Sequence, residues 1–482
     1  MLPAALLLML PGLGGVSFAS PVRRDGRVPK TYRPGKGNSS SSSSSNFNRR
    51  LSFNRDGTFQ ISIFEDLHFG ESKLGASLFS HAHTPSILAR KPRLTCLTDA
   101  WDQWGPQQDI NSLKVMDAVL DSEKPDLMVL NGDLITGENT YRENSTAYMD
   151  RIAGPLVSRG LPWASTYGNH DHNFNISGAG LLARENRWPN SLTRSMVAGR
   201  NAGVTNYYLA VYGADCDGGG DEGDEGDEED EEDEECAPEL LLWFFDSRGG
   251  FYFGERNADG SHVGQPDWVD ASVVRWFEAT GARLRRRFNR VMPSLAFVHI
   301  PTNASLALQT EHVDAHRQPG VNDDVPLARQ AQGWCGDGSN RKDCSYGGQD
   351  VPFMQAVAAT PGLIGVFSGH DHGATWCSRW DGLVPGMSVA GTGVNLCFGQ
   401  HSGYGGYGNW IRGARQLRLS ADVLRRRRWE AETWIRTETG GVVGSVSLNA
   451  TYGRDRYPAT PNDKTYCPTC NYTIVTPGPT RS

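Results

Sequence analysis

At 482 residues, with 38% hydrophobic and 21% charged content, the chain has the balance of a soluble globular protein holding one large domain with appendages or two domains. The formal net charge of −8 is local: the run 217–235 carries 14 acidic groups, and taking these from the 55 in the chain leaves 41 against 47 basic residues. That excludes a protein acidic over its whole surface, and a mildly basic body suits anionic substrates.

Residues 1–19 read as a signal peptide, with an apolar core from Leu2 to Leu10 and a Ser17-Phe18-Ala19 cleavage pattern. The apolar core is too short to span a bilayer, and no other segment reaches spanning length. Residues 20–50, rich in Ser and Arg, read as a disordered linker. A folded domain is expected over 51–452, interrupted by the disordered acidic insert 217–235 and followed by an irregular tail, 453–482. Six sequons, at Asn38, Asn144, Asn175, Asn303, Asn449 and Asn471, agree with export and with N-glycans. Nine cysteines in an exported chain suggest disulfides with one thiol left over. Cys216 with Cys236, Cys335 with Cys344, and Cys377 with Cys397 are plausible pairs; Cys467 and Cys470 form a structural CxxC, and Cys96 is the odd one.

Within the domain the hydrophobic pattern alternates. Strands are expected at 58–64, 126–130, 161–167, 205–212, 239–245, 294–299, 363–368 and 388–391. Helical spacing is found over 110–122, 147–158, 269–288 and 353–359. Three strands close the chain, 414–419, 429–436 and 442–448, the last two joined at Gly440-Gly441. This order implies an α/β core closed by antiparallel strands.

Five strands end in polar clusters. Glu65-Asp66-Leu67-His68 follows the first, Asn131-Gly132-Asp133 the second, and Gly168-Asn169-His170-Asp171 the third; His299 ends the strand LAFVHI, and Gly369-His370-Asp371-His372 follows Ser368. Ligand crevices of α/β sheets lie at strand carboxyl ends. Asp, Asn and His without thiolates suit Mn, Fe or Zn better than a structural zinc site, and an aspartate can bridge two cations into a clamp for phosphoryl transfer. Any one of these motifs alone is more often a polar turn; the ordered set of five is specific.

The set resembles the calcineurin-like metallophosphoesterase superfamily over residues 55 to 400, and within it the branch related to fungal and plant purple acid phosphatases. FEDLHFG (64–70), NGDLITGEN (131–139), YGNHDH (167–172), FVHIP (297–301), SGHDHGATW (368–376) and LCFGQHSGYGGYG (396–408) carry the closer likeness. The resemblance implies a four-layer α/β/β/α sandwich of two mixed sheets flanked by helices. It implies two divalent metal ions, one on Asp66, His68 and His372, the other on Asn169, His299 and His370, with Asp133 bridging. His170 would be the general acid and Asp171 its orienting partner, while a metal-bridging hydroxide attacks phosphorus in line.

Three departures from the branch matter. Thr136 stands where purple enzymes carry a tyrosinate, and His68 where they carry glycine, which implies a colourless enzyme with a divalent pair. Gly373-Ala374-Thr375 follows the last motif where relatives often carry an Asn-Asp pair. His81, His83, His262, His312, His316 and His401 lack ligand spacing and read as bystanders. The arginine clusters at 283–287 and 425–428 read as solvated faces, with no nucleic acid as partner. His172 has no assigned place. Glycans on Asn175 and Asn303 would narrow the mouth of the site. The expected activity is phosphomonoester hydrolysis in a secreted or vacuolar setting. A phosphodiesterase acting on nucleotides or lipid head groups, or a non-catalytic secreted glycoprotein, are the alternatives.

Overall fold

The computed structural model describes residues 50–71, 105–140, 142–171, 176–216, 236–328, 335 and 344–465. The expectations for residues 1–49, His81, His83, Cys96, His172, Asn175, the insert 217–235 and the CxxC at 467–470 lie outside the described residues.

Two large mixed sheets carry the fold. One has seven strands, ordered Leu51–Ser52, Tyr207–Tyr212, Leu240–Phe245, Ser294–Val298, Leu363–Ser368, Ala390–Phe398 and Cys377–Leu383. The other has six, ordered Val442–Leu448, Ala431–Thr437, Gly413–Ser420, Thr58–Phe64, Leu127–Asn131 and Trp163–Thr166. In each sheet the central strands run parallel: Thr58–Phe64 beside Leu127–Asn131 beside Trp163–Thr166, and Leu240–Phe245 beside Ser294–Val298 beside Leu363–Ser368. Such strands are covered on both faces, which is why LMVLN, SLAFV and LIGVFS read as unbroken apolar runs.

Three apolar layers follow from that. Phe59, Ile61, Ile63 and Val129 of the six-stranded sheet pack against Leu242, Phe244, Leu295 and Phe297 of the seven-stranded one. On the outer face of the first, Met128 and Leu130 meet Val115, Met116, Ile152 and Leu156 from helices Gly105–Ser122 and Arg142–Ser158. On the outer face of the second, Trp243, Phe245 and Ala296 meet Val273, Phe277 and Phe353 from helices Ala271–Arg287 and Val351–Ala359. The result is the expected helix, sheet, sheet, helix sandwich.

Arg415, buried in the middle, donates to the carbonyl oxygens of Phe398 at 2.6 Å and Thr375 at 2.5 Å and to Thr433 Oγ1 at 2.9 Å, joining the two sheets. The three cysteine pairs named above are disulfides. Among the described residues no helix is long and apolar enough to cross a membrane.

Candidate metal centre

The parallel strands of both sheets end on the same side, and the turns after them hold the polar clusters. These turns are sharp. Asp66, His68, Asp133 and His370 all have positive φ, 53°, 48°, 49° and 72°, a conformation that non-glycine residues adopt rarely and at a cost. Glycine supplies the close approaches. A Cβ at Gly132, where φ is +89°, would lie 2.4 Å from His299 Cγ. One at Gly406, where φ is +74°, would lie 2.3 Å from His372 Cε1.

Two groups of ligating atoms result. In the first, Asp66, His68 and His372 converge; in the second, Asp133, His299 and His370 do, with all ligating atoms of each group within 4.8 Å of one another. Asp133 lies between the groups: its Oδ2 is 3.0 Å from His299 Nε2 and 3.7 Å from His68 Nε2. Asn169 is buried beside them, packed against Gly249. Each group draws on both sheets, since His299, His370 and His372 follow strands of the seven-stranded sheet and the others follow strands of the six-stranded one.

The donor set fits a pair of cations. Asn169 Oδ1 and His370 Nε2 are buried without a hydrogen-bond partner in the protein, where such atoms normally have one. The other ring nitrogens are braced from behind: His299 Nδ1 to Asn131 O at 2.9 Å, His372 Nδ1 to Tyr407 O at 2.9 Å, and His68 Nδ1 to Thr136 Oγ1 at 3.2 Å. This is how metal-binding imidazoles are held in orientation. Burial alone would raise the carboxyls of Asp66 and Asp133, but the histidines around them hold both below the usual range, that of Asp133 far below. Mn, Fe and Zn all accept such nitrogen and oxygen donors.

His170 stands beside the first group, its ring centroid 5.0 Å from that of His68, and its backbone N–H donates to Asp133 Oδ1 at 2.8 Å. Its Nδ1 is hydrogen-bonded to Glu138 Oε1. Burial would lower the imidazolium, but Glu138 and Asp133, helped by Glu71, raise it to about 10. Asp171 was expected in the position Glu138 takes. Its Oδ1 instead accepts from the backbone N–H groups of Leu134 at 2.9 Å and Ile135 at 3.0 Å, and its Oδ2 from Gly168 N at 2.8 Å. Asp171 thus fixes the two ligand turns to each other, and the residue that grips the His170 ring is Glu138.

Other expectations also shift. His401 has no ligand spacing, yet it is buried with its ring centroid 3.8 Å from that of His372, against which Tyr407 also stacks, at 4.1 Å. Tyr407 OH accepts from His372 N at 3.0 Å and donates to Asp324 Oδ2 at 2.6 Å. Thr375, in the departing Gly-Ala-Thr stretch, is a brace: its Oγ1 accepts from Val321 N at 2.7 Å. Asn303 is 8% exposed, with Nδ2 3.5 Å from Met387 Sδ. His312 and His316 are exposed, as bystanders should be. Sequence reasoning missed Glu138 and Tyr407, although both lie inside the quoted motifs NGDLITGEN and LCFGQHSGYGGYG.

The family model of the calcineurin-like phosphoesterases matches residues 66–374, from Asp66 to just past His372. The chain belongs to that family. Among curated proteins it is similar to "Probable inactive purple acid phosphatase 29" of Arabidopsis thaliana, 26% identical over 401 residues, covering 81% of this chain and 84% of that one. "Phosphatase DCR2" of Saccharomyces cerevisiae is 23% identical over 274 residues, 56% of this chain and 39% of that one. Among solved structures, a dimetal phosphatase from Danio rerio aligns with a TM-score of 0.43 at 11% identity, covering 81% of this chain and 98% of that chain. A purple acid phosphatase from yellow lupin seeds aligns with a TM-score of 0.38 at 11% identity, covering 82% and 54%.

Proposed function

We propose that the chain is a dimetal phosphomonoesterase of the secretory pathway, with His170 as general acid. The observation that carries this reading is the dyad of Glu138 and His170 set directly against both ligand groups. Asp66, His68 and His372 would hold one ion, Asn169, His299 and His370 the other, and Asp133 both. Bound there, a divalent pair supplies Lewis-acid stabilisation of phosphoryl oxygens and a water acidic enough to act as nucleophile near neutral pH.

The chain's own side chains do the rest. Glu138 holds the His170 ring by Nδ1 and favours its protonated form. Nε2 is then the nitrogen that passes a proton to the departing oxygen of the ester, and it recovers that proton from solvent. Asp171 keeps the turn carrying His170 registered on the turn carrying Asp133 through its backbone hydrogen bonds. Thr136, in place of a tyrosinate, gives the first ion no phenolate, so the metal-replete protein is expected to be colourless; a strong visible charge-transfer band contradicts this. Three disulfides and the signal-like N-terminus support an oxidising compartment.

The words "probable inactive" belong to plant relatives. The non-catalytic reading they suggest sits poorly with a complete set of seven ligating residues here. Paired assays on an aryl monoester and a diester, with Mn, Zn or Fe supplied, test the proposal. His170→Ala is expected to keep its metal and lose about 10²- to 10⁴-fold in turnover, most for poor leaving groups. Equal loss for good and poor leaving groups removes the acid role, and absence of hydrolysis by metal-replete protein removes the enzymatic one.

A further inference from the structure

Arg290, three residues past the first arginine cluster, and Arg425, which opens the second, meet at one glutamate. Helix Ala271–Arg287 ends in Arg285, Arg286 and Arg287, and beyond it Arg290 donates to Pro238 O and lies 3.3 Å from Glu239 Oε2. From the other cluster, Arg425 Nε donates to Glu239 Oε1 at 3.0 Å. Arg283, Arg286 and Arg287 on the helix leading to Arg290, and Arg425 to Arg428, are exposed. Among the described residues Glu239 lies 3.0 Å from Arg425, Asp422 3.8 Å from Arg425 and Glu430 2.9 Å from Arg428. The surface keeps an excess of positive charge.

This junction is also where the acidic insert leaves and rejoins the body. Glu239 is three residues beyond Cys236, whose disulfide partner Cys216 accepts a hydrogen bond from Arg50 at 2.9 Å. The Cα atoms of the two cysteines are 5.9 Å apart, so both ends of the segment with 14 carboxylates start beside the arginines. Its 19 residues, at a limit of about 3.3–3.6 Å each, can go out about 30 Å and return. The metal centre is elsewhere. Glu239 precedes strand Leu240–Phe245, and the centre lies at the far ends of these strands, about 20 Å away at ~3.3 Å per residue.

We propose that the arginine surface is the docking site of the chain's own acidic segment, residues 217–235. Docked there, the segment withholds the surface from other polyanions, such as sulfated polysaccharides, and the contact weakens as salt rises because exposed charges are screened beyond about 10 Å at 0.1 M. The pairing is within one chain, so its effective concentration is high compared with any polyanion met in solution.

The test uses full-length protein and a fluorescent synthetic peptide of residues 217–235, followed by anisotropy at low ionic strength. A variant with the segment's carboxylates changed to Asn and Gln is expected to bind the peptide at least about tenfold tighter than wild type, whose surface is occupied. Adding Arg425→Gln, Arg426→Gln, Arg427→Gln and Arg428→Gln to that variant is expected to remove the gain and leave turnover unchanged. Equal affinity of wild type and variant overturns the proposal, and so does binding that survives loss of the arginines. A second measurement leaves the segment unaltered. In wild type, phenylglyoxal should modify Arg425 to Arg428 slowly at low salt and faster at high salt, as read by mass spectrometry. Equal rates at both salts overturn the proposal as well.

Discussion

One strand, Trp163–Thr166, feeds two buried polar clusters that end in opposite states. Behind it, Glu185 accepts from Trp163 Nε1 at 2.7 Å, Ser165 Oγ at 2.7 Å, Thr193 Oγ1 at 2.6 Å and Tyr167 OH at 2.9 Å. Both its oxygens are used, and the cluster closes on itself. A few residues further on, Asn169 Oδ1 and, across the centre, His370 Nε2 are equally buried and have no partner in the protein. A satisfied cluster needs nothing more and reads as structure. An unsatisfied one, held in place by strained backbone, reads as a site awaiting a ligand. Burial and polarity alone do not separate the two cases.

The contrast can be broken or sharpened by substitution. The largest effect is expected from Asp133→Asn. Metal measured by elemental analysis should be lost and turnover should fall about a thousandfold, since a metal clamp is worth several kcal/mol of transition-state stabilisation. The metal-free melting temperature should hold, and a marked fall in it would make Asp133 structural after all. Glu185→Ala should do the reverse. It strands four buried donors, so stability by denaturant titration should fall by about 3 kcal/mol while metal content per folded molecule stays the same.

Gly168→Ala comes next. Its Cβ would sit 2.3 Å from Asp133 Oδ1, and a metal affinity lowered by about 10- to 100-fold is expected. Unchanged affinity would mean that the turn yields freely.

The smallest effect is a shift in pH dependence. Glu138 raises the His170 pKa, so the proton-donating form persists to alkaline pH and is lost as pH rises through about 10. Removing that charge in Glu138→Gln lowers the pKa, and the alkaline limb of the rate profile should move to lower pH with metal content unchanged. A limb that does not move would show that Glu138 only supports the turn.

Much of this arrangement could be read from the sequence because it depends on periodicity and strand ends. The runs LMVLN, SLAFV and LIGVFS announce doubly covered parallel strands, and the polar residues just past them converge into two groups that could hold a metal ion. Where reading failed, the decisive information was spatial. Glu138 lies in a short 3-10 turn, Gly137–Asn139, and only the turn's path brings it to His170. Asp171, adjacent in sequence, was the natural candidate, but the tight turn directs its carboxylate at backbone N–H groups instead.

The strand Cys377–Leu383 was missed because CSRWDGL is an edge strand, half exposed and without an apolar run. The short helix Gly178–Glu185 opens with two glycines in its first three positions and depends on its cap, Ser177 Oγ accepting from Gly180 N at 3.0 Å. The meeting of Arg290 and Arg425 at Glu239 is a third case: neither segment names that glutamate, and 135 residues separate the two arginines.

Each ligand group draws side chains from both sheets, and this has a thermodynamic consequence. An ion bound in either group is a fastener between the halves of the sandwich, alongside Arg415 and the apolar layer. Ligand binding to the folded state alone adds RT ln(1 + [L]/Kd), about 2.7 kcal/mol when the ion is at a hundred times its Kd. Chelation should therefore lower the melting temperature of the whole domain, not merely silence it. The loss should be smaller in Asp133→Asn, where the fastener is already loosened. Metal supply in the compartment would then govern how long the folded protein lasts as well as how fast it works.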